Sequence, residues 1–255
     1  MSKKKGVFTK LSKSYFLSAK SLFSYVKKTL FLFKPIVLII SLLYSTILIP
    51  IGIIFGGLIL FDWLSSITDK IRYFIIKLME TQSLLITNSF LSFILRPILL
   101  VLIAPFFILS VFIPKLSNNV GGDLAQNELS DVTSGVGSFK RINQIIWRAA
   151  SNLFIYVSNS ALILKPIAGI VAIIYSIILI IVGAAFFILI PLDFISRIIE
   201  NIRNKIVKFS SYMQQKINKN MMTFLFIPIF LVLFAPLFLA IILIPKFTTN
   251  IDLEV

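Results

Sequence analysis

The sequence predicts an all-α integral membrane protein built as a tandem duplication, and three observations carry that prediction. First, 58% of the 255 residues are apolar and only 14% are charged, with a mean hydropathy of +1.00. Soluble domains hold about 45–50% apolar and about 25% charged residues, so this chain has too little polar surface to wrap a water-soluble globule. Second, the apolar residues collect in long uncharged runs. Third, the chain matches itself without a gap when shifted by 131 positions, with 34 of 90 pairs identical between 31–120 and 162–251. FKPIVLIISLLYSTILIPIG from Phe33 lies over LKPIAGIVAIIYSIILIIVG from Leu164, and Lys34, Pro35, Gly52, Asp62, Arg72, Lys77, Pro97, Pro105, Pro114 and Lys115 all recur. The expected organisation is a basic tail (1–5), a first repeat (6–120), a polar linker (121–136), a second repeat (137–251) and a short tail (252–255).

Each repeat has four parts in the same order. A basic amphipathic stretch comes first, with Phe8, Leu11, Tyr15, Ala19, Leu22 and Val26 at helical spacing and Lys10, Lys13, Lys20 and Lys27 off that face. Its copy uses Phe139, Ile142, Ile146, Ala150, Leu153 and Val157. The first stretch is Ser-rich and free of acids, as a transit peptide would be. Its basic residues are all Lys, however, and its recurrence in mid-chain marks a structural element.

An uncharged run of 27 residues follows, Pro35–Phe61 and Pro166–Leu192. As a helix it is about 40 Å long against a hydrocarbon core of about 30 Å, long enough to cross and too short to cross twice. A second amphipathic helix comes third, with an apolar stripe of Ile195, Ile198, Ile199, Ile202, Ile206 and Phe209, or Leu64, Ile67, Ile71, Phe74, Ile75 and Leu78 in the first repeat. The fourth part is a proline-spaced apolar helix, Pro97–Pro114 and Pro228–Pro245, where Pro105 and Pro236 each remove a backbone donor and are expected to kink it.

Four crossings are the expectation, with shallow hairpins as the alternative. Basic residues have nearly the same density in the two sets of polar segments, so charge does not orient the chain beyond a Lys-rich first 34 residues that favours a cytosolic N-terminus.

Few residues suggest chemistry. Cysteine and histidine are both absent, which removes thiol nucleophiles, Cys/His metal sites and histidine acid–base catalysis. No phosphate-binding loop, serine elbow or metal cluster stands in the sequence, so no catalytic residue, metal or cofactor is expected. Asp62 and Asp193 fall where the long apolar run gives way to the amphipathic helix, which reads as a helix N-cap; a cation or proton site built on the pair is the alternative. Arg72 and Lys77, with Arg197, Arg203, Lys205 and Lys208, are expected on polar helix faces against anionic lipid headgroups. The net charge of +15 would suit nucleic acid in a soluble protein, but here it is interleaved with membrane-seeking faces, so lipid is the expected partner and nucleic acid is not.

In its segment order, long apolar runs joined by amphipathic helices, the chain resembles hairpin membrane-shaping proteins of the reticulon and receptor-expression-enhancing type. That resemblance implies a non-enzymatic protein that organises, bends or remodels a bilayer, through interfacial helices and self-association. A small transporter or channel, or a structural subunit of a membrane complex, is the competing expectation.

Overall fold

A computed structural model describes residues 5–113, 115–117, 119–120 and 136–251. The linker and tails expected from the sequence lie outside these residues except for Lys5 and Val136, as does Pro114. The chain is helical: α1 (Val7–Lys28), α2 (Lys34–Gly57), α3 (Ile59–Leu84), α4 (Phe90–Phe112), α5 (Ser138–Asn159), α6 (Lys165–Lys216) and α7 (Met221–Leu243). Four short strands accompany them: β1 (Lys5–Gly6) pairs antiparallel with β2 (Asn119–Val120), and β3 (Val136–Gly137) with β4 (Asn250–Ile251). Corresponding elements stand 131 positions apart, from α1 and α5 to α4 and α7.

Local sequence explains the boundaries. Ser89 caps α4 by accepting the Ser92 N–H at 3.2 Å, and Asn220 opens α7 in a capping box with Thr223. Pro35 sits in the first turn of α2, where a missing N–H costs nothing. Helices α4 and α7 stay helical through Pro97, Pro105, Pro228 and Pro236. The long apolar run and the amphipathic helix after it were expected as separate elements. In the second repeat they form one helix, the 52-residue α6. In the first repeat only Leu58 divides α2 from α3. The difference has a local cause: Gly56 and Gly57, poor helix formers, precede that break, and Phe187 and Ile188 replace them in α6.

The helices gather into two compact units, and neither coincides with a repeat. One unit takes α1, α2, the start of α3 to Ser66, the β1–β2 pair, α6 from Ile198, and α7. The other takes α3 from Ile67, α4, α5, the β3–β4 pair and α6 up to Arg197. Each unit therefore combines the front helices of one repeat with the back helices of the other. The first core is built from Val7, Phe8, Leu11, Tyr15, Leu22 and Phe55 with Phe224, Leu231 and Phe238. The second holds Phe93, Leu100 and Phe107 with Phe139, Ile142, Ile146 and Phe186. Ring stacking recurs in both: Tyr25 with Phe224 at 4.6 Å and Tyr156 with Phe93 at 4.4 Å between centroids.

Two expectations about amphipathic faces are corrected by this packing. The apolar faces of α1 and α5 are not free to enter a membrane interface, because Phe8, Leu11, Tyr15 and Leu22, and Phe139, Ile142, Ile146 and Leu153, are buried in the two cores. Helix α3 and the second half of α6 are turned the other way. They bury Asp62, Ser65, Thr68 and Arg72, or Asp193, Ser196 and Arg203, and expose Leu64, Ile71 and Phe74, or Ile195, Ile198 and Ile202. Large apolar side chains are exposed along α2, α4, α6 and α7, and four helical segments (Phe31–Thr87, Phe90–Phe112, Lys165–Lys216 and Met221–Leu243) are long and apolar enough to cross a membrane. By helix length and composition the chain is membrane-protein-like.

Candidate functional site

The buried charges sit at helix ends. Gly6, the residue before α1, has extended backbone and no side chain with which to cap the helix. Asp62 caps it from 54 residues away. Its carboxylate accepts the Phe8 N–H at 3.3 Å, the Thr9 N–H at 2.8 Å, the Thr9 hydroxyl at 2.7 Å and the Ser117 hydroxyl. In the other unit Asp193 accepts the Phe139 and Lys140 N–H groups at 3.3 and 2.9 Å, capping α5 after Gly137. Both carboxylates are buried. A Cβ on Gly6 or Gly137 would overlap the facing carboxyl group, which explains glycine at both cap positions. The expected N-cap role is therefore corrected in its target. Asp62 lies within the first turn of α3 and Asp193 deep inside α6, where no helix starts, so each serves another helix. Four donors occupy the Asp62 oxygens, which fits an anion stabilising a helix N-terminus.

Ser65 and Ser196 accept the Ser117 and Thr248 N–H groups at 3.2 and 3.3 Å. They tie the segment after α4 or α7 to the same corner. The short strand pairs close each corner, with Gly6 opposite Asn119 and Gly137 opposite Asn250.

Arg72 and Arg203 form the opposite kind of cap. Both are wholly buried, 0% exposed. Arg72 donates to the Ser110 carbonyl through Nε and Nη2 at 3.3 and 3.1 Å, and to the Ile113 carbonyl at 2.8 Å. Arg203 donates to the Ile242 carbonyl at 2.9 Å and to that of Ile244. These are the last carbonyls of α4 and α7, left without intrahelical donors, and a cation there complements the helix dipole. Ser110 has a further reason to need one, since the residue four positions on is Pro114, which has no N–H. The two arginines expected at lipid headgroups are therefore corrected: burial and carbonyl bonding take them out of reach. Of the other four, Lys77, Lys205 and Lys208 are exposed, and Arg197 is half-buried within Coulombic range of Asp193.

Polar contacts outside the repeat pattern distinguish the units. Glu80 pairs with Arg141 at 2.7 Å and Arg148 at 3.7 Å, and Arg96 donates to Gln82. Tyr15 donates its hydroxyl to the Leu231 carbonyl at 2.9 Å, and burial pushes its phenol above the usual tyrosine range. Sequence reasoning missed these corners, although Gly6 and Gly137 recur at the same offset as the aspartates and could have flagged them.

A lysine edge runs along the apolar helices. Helix α1 lies antiparallel to α2, since the Ser12 hydroxyl donates to the Gly52 carbonyl at 2.9 Å and the Ser41 hydroxyl to that of Leu22 at 3.4 Å. Gly52 faces the α1 side chains of Tyr15 and Phe16. Lys13 and Lys20 are exposed and fall within that stretch. They lie beside the middle of the uncharged run, within about 8 Å along the axis of Leu48 at 1.5 Å per residue. The α6 segment from Ile198 meets α1 through Ser14 and Ser210, and exposes Lys205 and Lys208. Beyond Lys34, α2 and α7 carry no charge. In the other unit α5 carries Lys140, Arg141 and Arg148, with Lys70 and Lys77 on α3.

Comparison with protein-family models, with characterised proteins and with solved structures gives no match.

Proposed function

We propose that this is a non-enzymatic membrane protein that bends or remodels a bilayer by filling one leaflet more than the other. The observation that carries this reading is the position of Lys13 and Lys20 beside the middle of α2. If α2 crossed the bilayer with lipid around its unit, both ammonium groups would lie near the hydrocarbon centre, at a cost of about 2.5–3.5 kcal/mol each on insertion scales. Lying along the membrane plane avoids that cost. Helices α2 and α7 then enter the acyl region while α1 and the α6 segment from Ile198 meet headgroups and water. This favours shallow insertion over the four crossings expected from the sequence.

A slab of this kind expands the leaflet it enters, which is the wedge mechanism of interfacial helices. The duplicated sequence supplies two slabs per chain, and kinks at Pro105 and Pro236 would let α4 and α7 follow a curved surface. Lys77, Lys205 and Lys208 are the headgroup contacts, and self-association would concentrate the effect. Lys-rich α1 belongs on the cytosolic face. The reticulon-type resemblance in segment order agrees with this activity.

Reconstitution into large liposomes followed by electron microscopy tests it. Tubules or small vesicles at realistic protein density are expected, and unchanged vesicles would sink the proposal. Cysteines placed by Lys13→Cys and Lys20→Cys in this cysteine-free chain should react at similar rates with a membrane-impermeant thiol reagent from one side. A second reading rests on the same lysine edge: in a crossing arrangement it would line an aqueous path, as in a channel or transporter. Solute or ion flux through unaltered vesicles would support that reading instead.

A further inference from the structure

Among the described residues, the most exposed apolar side chains lie in the turns that lead into the two long apolar helices. Between α1 and α2, Leu30, Phe31 and Leu32 are 75, 87 and 84% exposed. Between α5 and α6, Leu162 and Ile163 are 84 and 87% exposed. Neither turn is loose. The Phe33 and Lys34 N–H groups both bond to the Leu30 carbonyl, at 3.0 and 3.2 Å, and the Leu164 and Lys165 N–H groups bond to that of Ala161, at 2.9 and 3.1 Å. The backbone is already ordered, so presenting these side chains to a partner requires little further loss of chain entropy.

The two tips differ in charge. Lys27 and Lys28 close α1 and Lys34 opens α2, all exposed, so three lysines flank Leu30–Phe33 along the chain. At the second tip only Lys165 remains, and the residues equivalent to Lys27 and Lys28 are Ser158 and Asn159. The apolar surface of the first tip continues into the exposed face of α2 through Ile36 and Ile39. Apolar side chains that run on from a lipid-facing helix, flanked by lysines, match an anionic bilayer: acyl chains for Phe31 and Leu32, and headgroup phosphates and carboxylates for the lysines.

We propose that the Leu30–Phe33 turn is an anionic-lipid anchor and that the Ala161–Leu164 turn is a second anchor without headgroup selectivity. This deepens the leaflet-filling reading and rests on it. The charge difference would make one end of the chain sensitive to lipid composition and the other indifferent to it.

Depth-dependent quenching tests the assignment on the full-length protein in proteoliposomes. In a Trp63→Phe, Trp147→Phe background, Phe31→Trp places a single indole at the first tip and Ile163→Trp one at the second. Both positions are exposed, so folding should be unaffected, and detergent elution and circular dichroism check this. At equal mole fraction, brominated phosphatidylserine should quench the first-tip indole several-fold better than brominated phosphatidylcholine. That preference should vanish in about 0.5 M salt, where screening is strong, and with Lys27→Gln, Lys28→Gln and Lys34→Gln combined. The second-tip indole should be quenched equally by both lipids.

Strong quenching at the first tip with no preference for the serine lipid would overturn the anionic anchor while leaving leaflet insertion intact. Absence of quenching by either lipid would place the turn in water or against protein and overturn the anchor outright. Imaging the same proteoliposomes reports separately on membrane bending, so failure of that reading is not confused with failure of the anchor.

Discussion

Ser14 and Ser210 share a hydrogen bond of 2.9 Å across 196 residues of sequence, and the two positions equivalent to them in the other unit, Ile145 and Met79, are both buried in its apolar core. The two positions differ together: both are hydroxyls in one unit and both are apolar in the other. A front half of one repeat meets a back half of the other, so Ser14 finds a hydroxyl and Ile145 finds an apolar core. Folding each repeat onto itself would set Ser14 against Met79 and Ile145 against Ser210, which leaves a buried hydroxyl unpartnered in each unit. Ser210→Met should therefore destabilise the protein by about 1–3 kcal/mol, and adding Ser14→Ile should recover much of that loss. Thermal unfolding in detergent measures both, and strict additivity of the two changes would contradict the pairing.

The Asp62 cap should behave as a long-range N-cap. Asp62→Ala removes the acceptor for the Phe8 and Thr9 N–H groups and should cost about 2 kcal/mol, at the upper end of the range for caps. Hydrogen exchange should rise in the first turn of α1 before it rises in α3. The reverse order would show that Asp62 serves its own helix. Gly6→Ala should be equally damaging, because the added methyl overlaps the Asp62 carboxyl group.

Arg72 should resist conservative replacement. Its guanidinium reaches the Ser110 and Ile113 carbonyls with a planar fork that lysine lacks. Arg72→Lys should lose about 1–2 kcal/mol and Arg72→Met about 1–3 kcal/mol, with fraying at the end of α4 as the structural readout. An Arg72→Lys variant as stable as the parent would remove the fork from the explanation.

Tyr15 ties α1 to α7 through its hydroxyl, and its phenol is held neutral by burial. A tyrosine whose folded value is raised contributes stability that is intact below its ordinary value, about 10, and is lost as pH climbs toward the folded value. Unfolding followed between neutral pH and strong alkali should show a loss that Tyr15→Phe abolishes, at the cost of about 1 kcal/mol at neutral pH for the missing hydrogen bond. An alkaline loss unchanged in Tyr15→Phe would assign it to another group.

The helices were legible because composition and spacing act locally: the apolar runs, the amphipathic stripes and the 131-residue offset are all properties of neighbouring residues. Asp62 was singled out as a cap for the same reason, yet the helix it caps begins 54 residues earlier, and no local pattern names that partner. Arg72 looked like a headgroup ligand because it lies off the apolar stripe of α3. In this chain Leu64, Ile71 and Phe74 of that stripe face outward while Asp62, Ser65, Thr68 and Arg72 turn inward, so the usual reading of an amphipathic helix fails for these residues. The exchange of halves was hidden as well, because two similar repeats offer both pairings and only differences such as Ser210 against Met79 choose between them.

That exchange bears on what the linker does. Were each repeat a self-contained bead, residues 121–136 would be all that kept the two together, and a protease cutting there would release two independent proteins. Because every core draws on both copies, a nicked chain would remain one particle, its fragments parting only on denaturation. The same chain could even be encoded as two shorter polypeptides that find each other after synthesis. The connecting segment is then a matter of supply, guaranteeing one front half for every back half, and the cohesion of the molecule lies elsewhere.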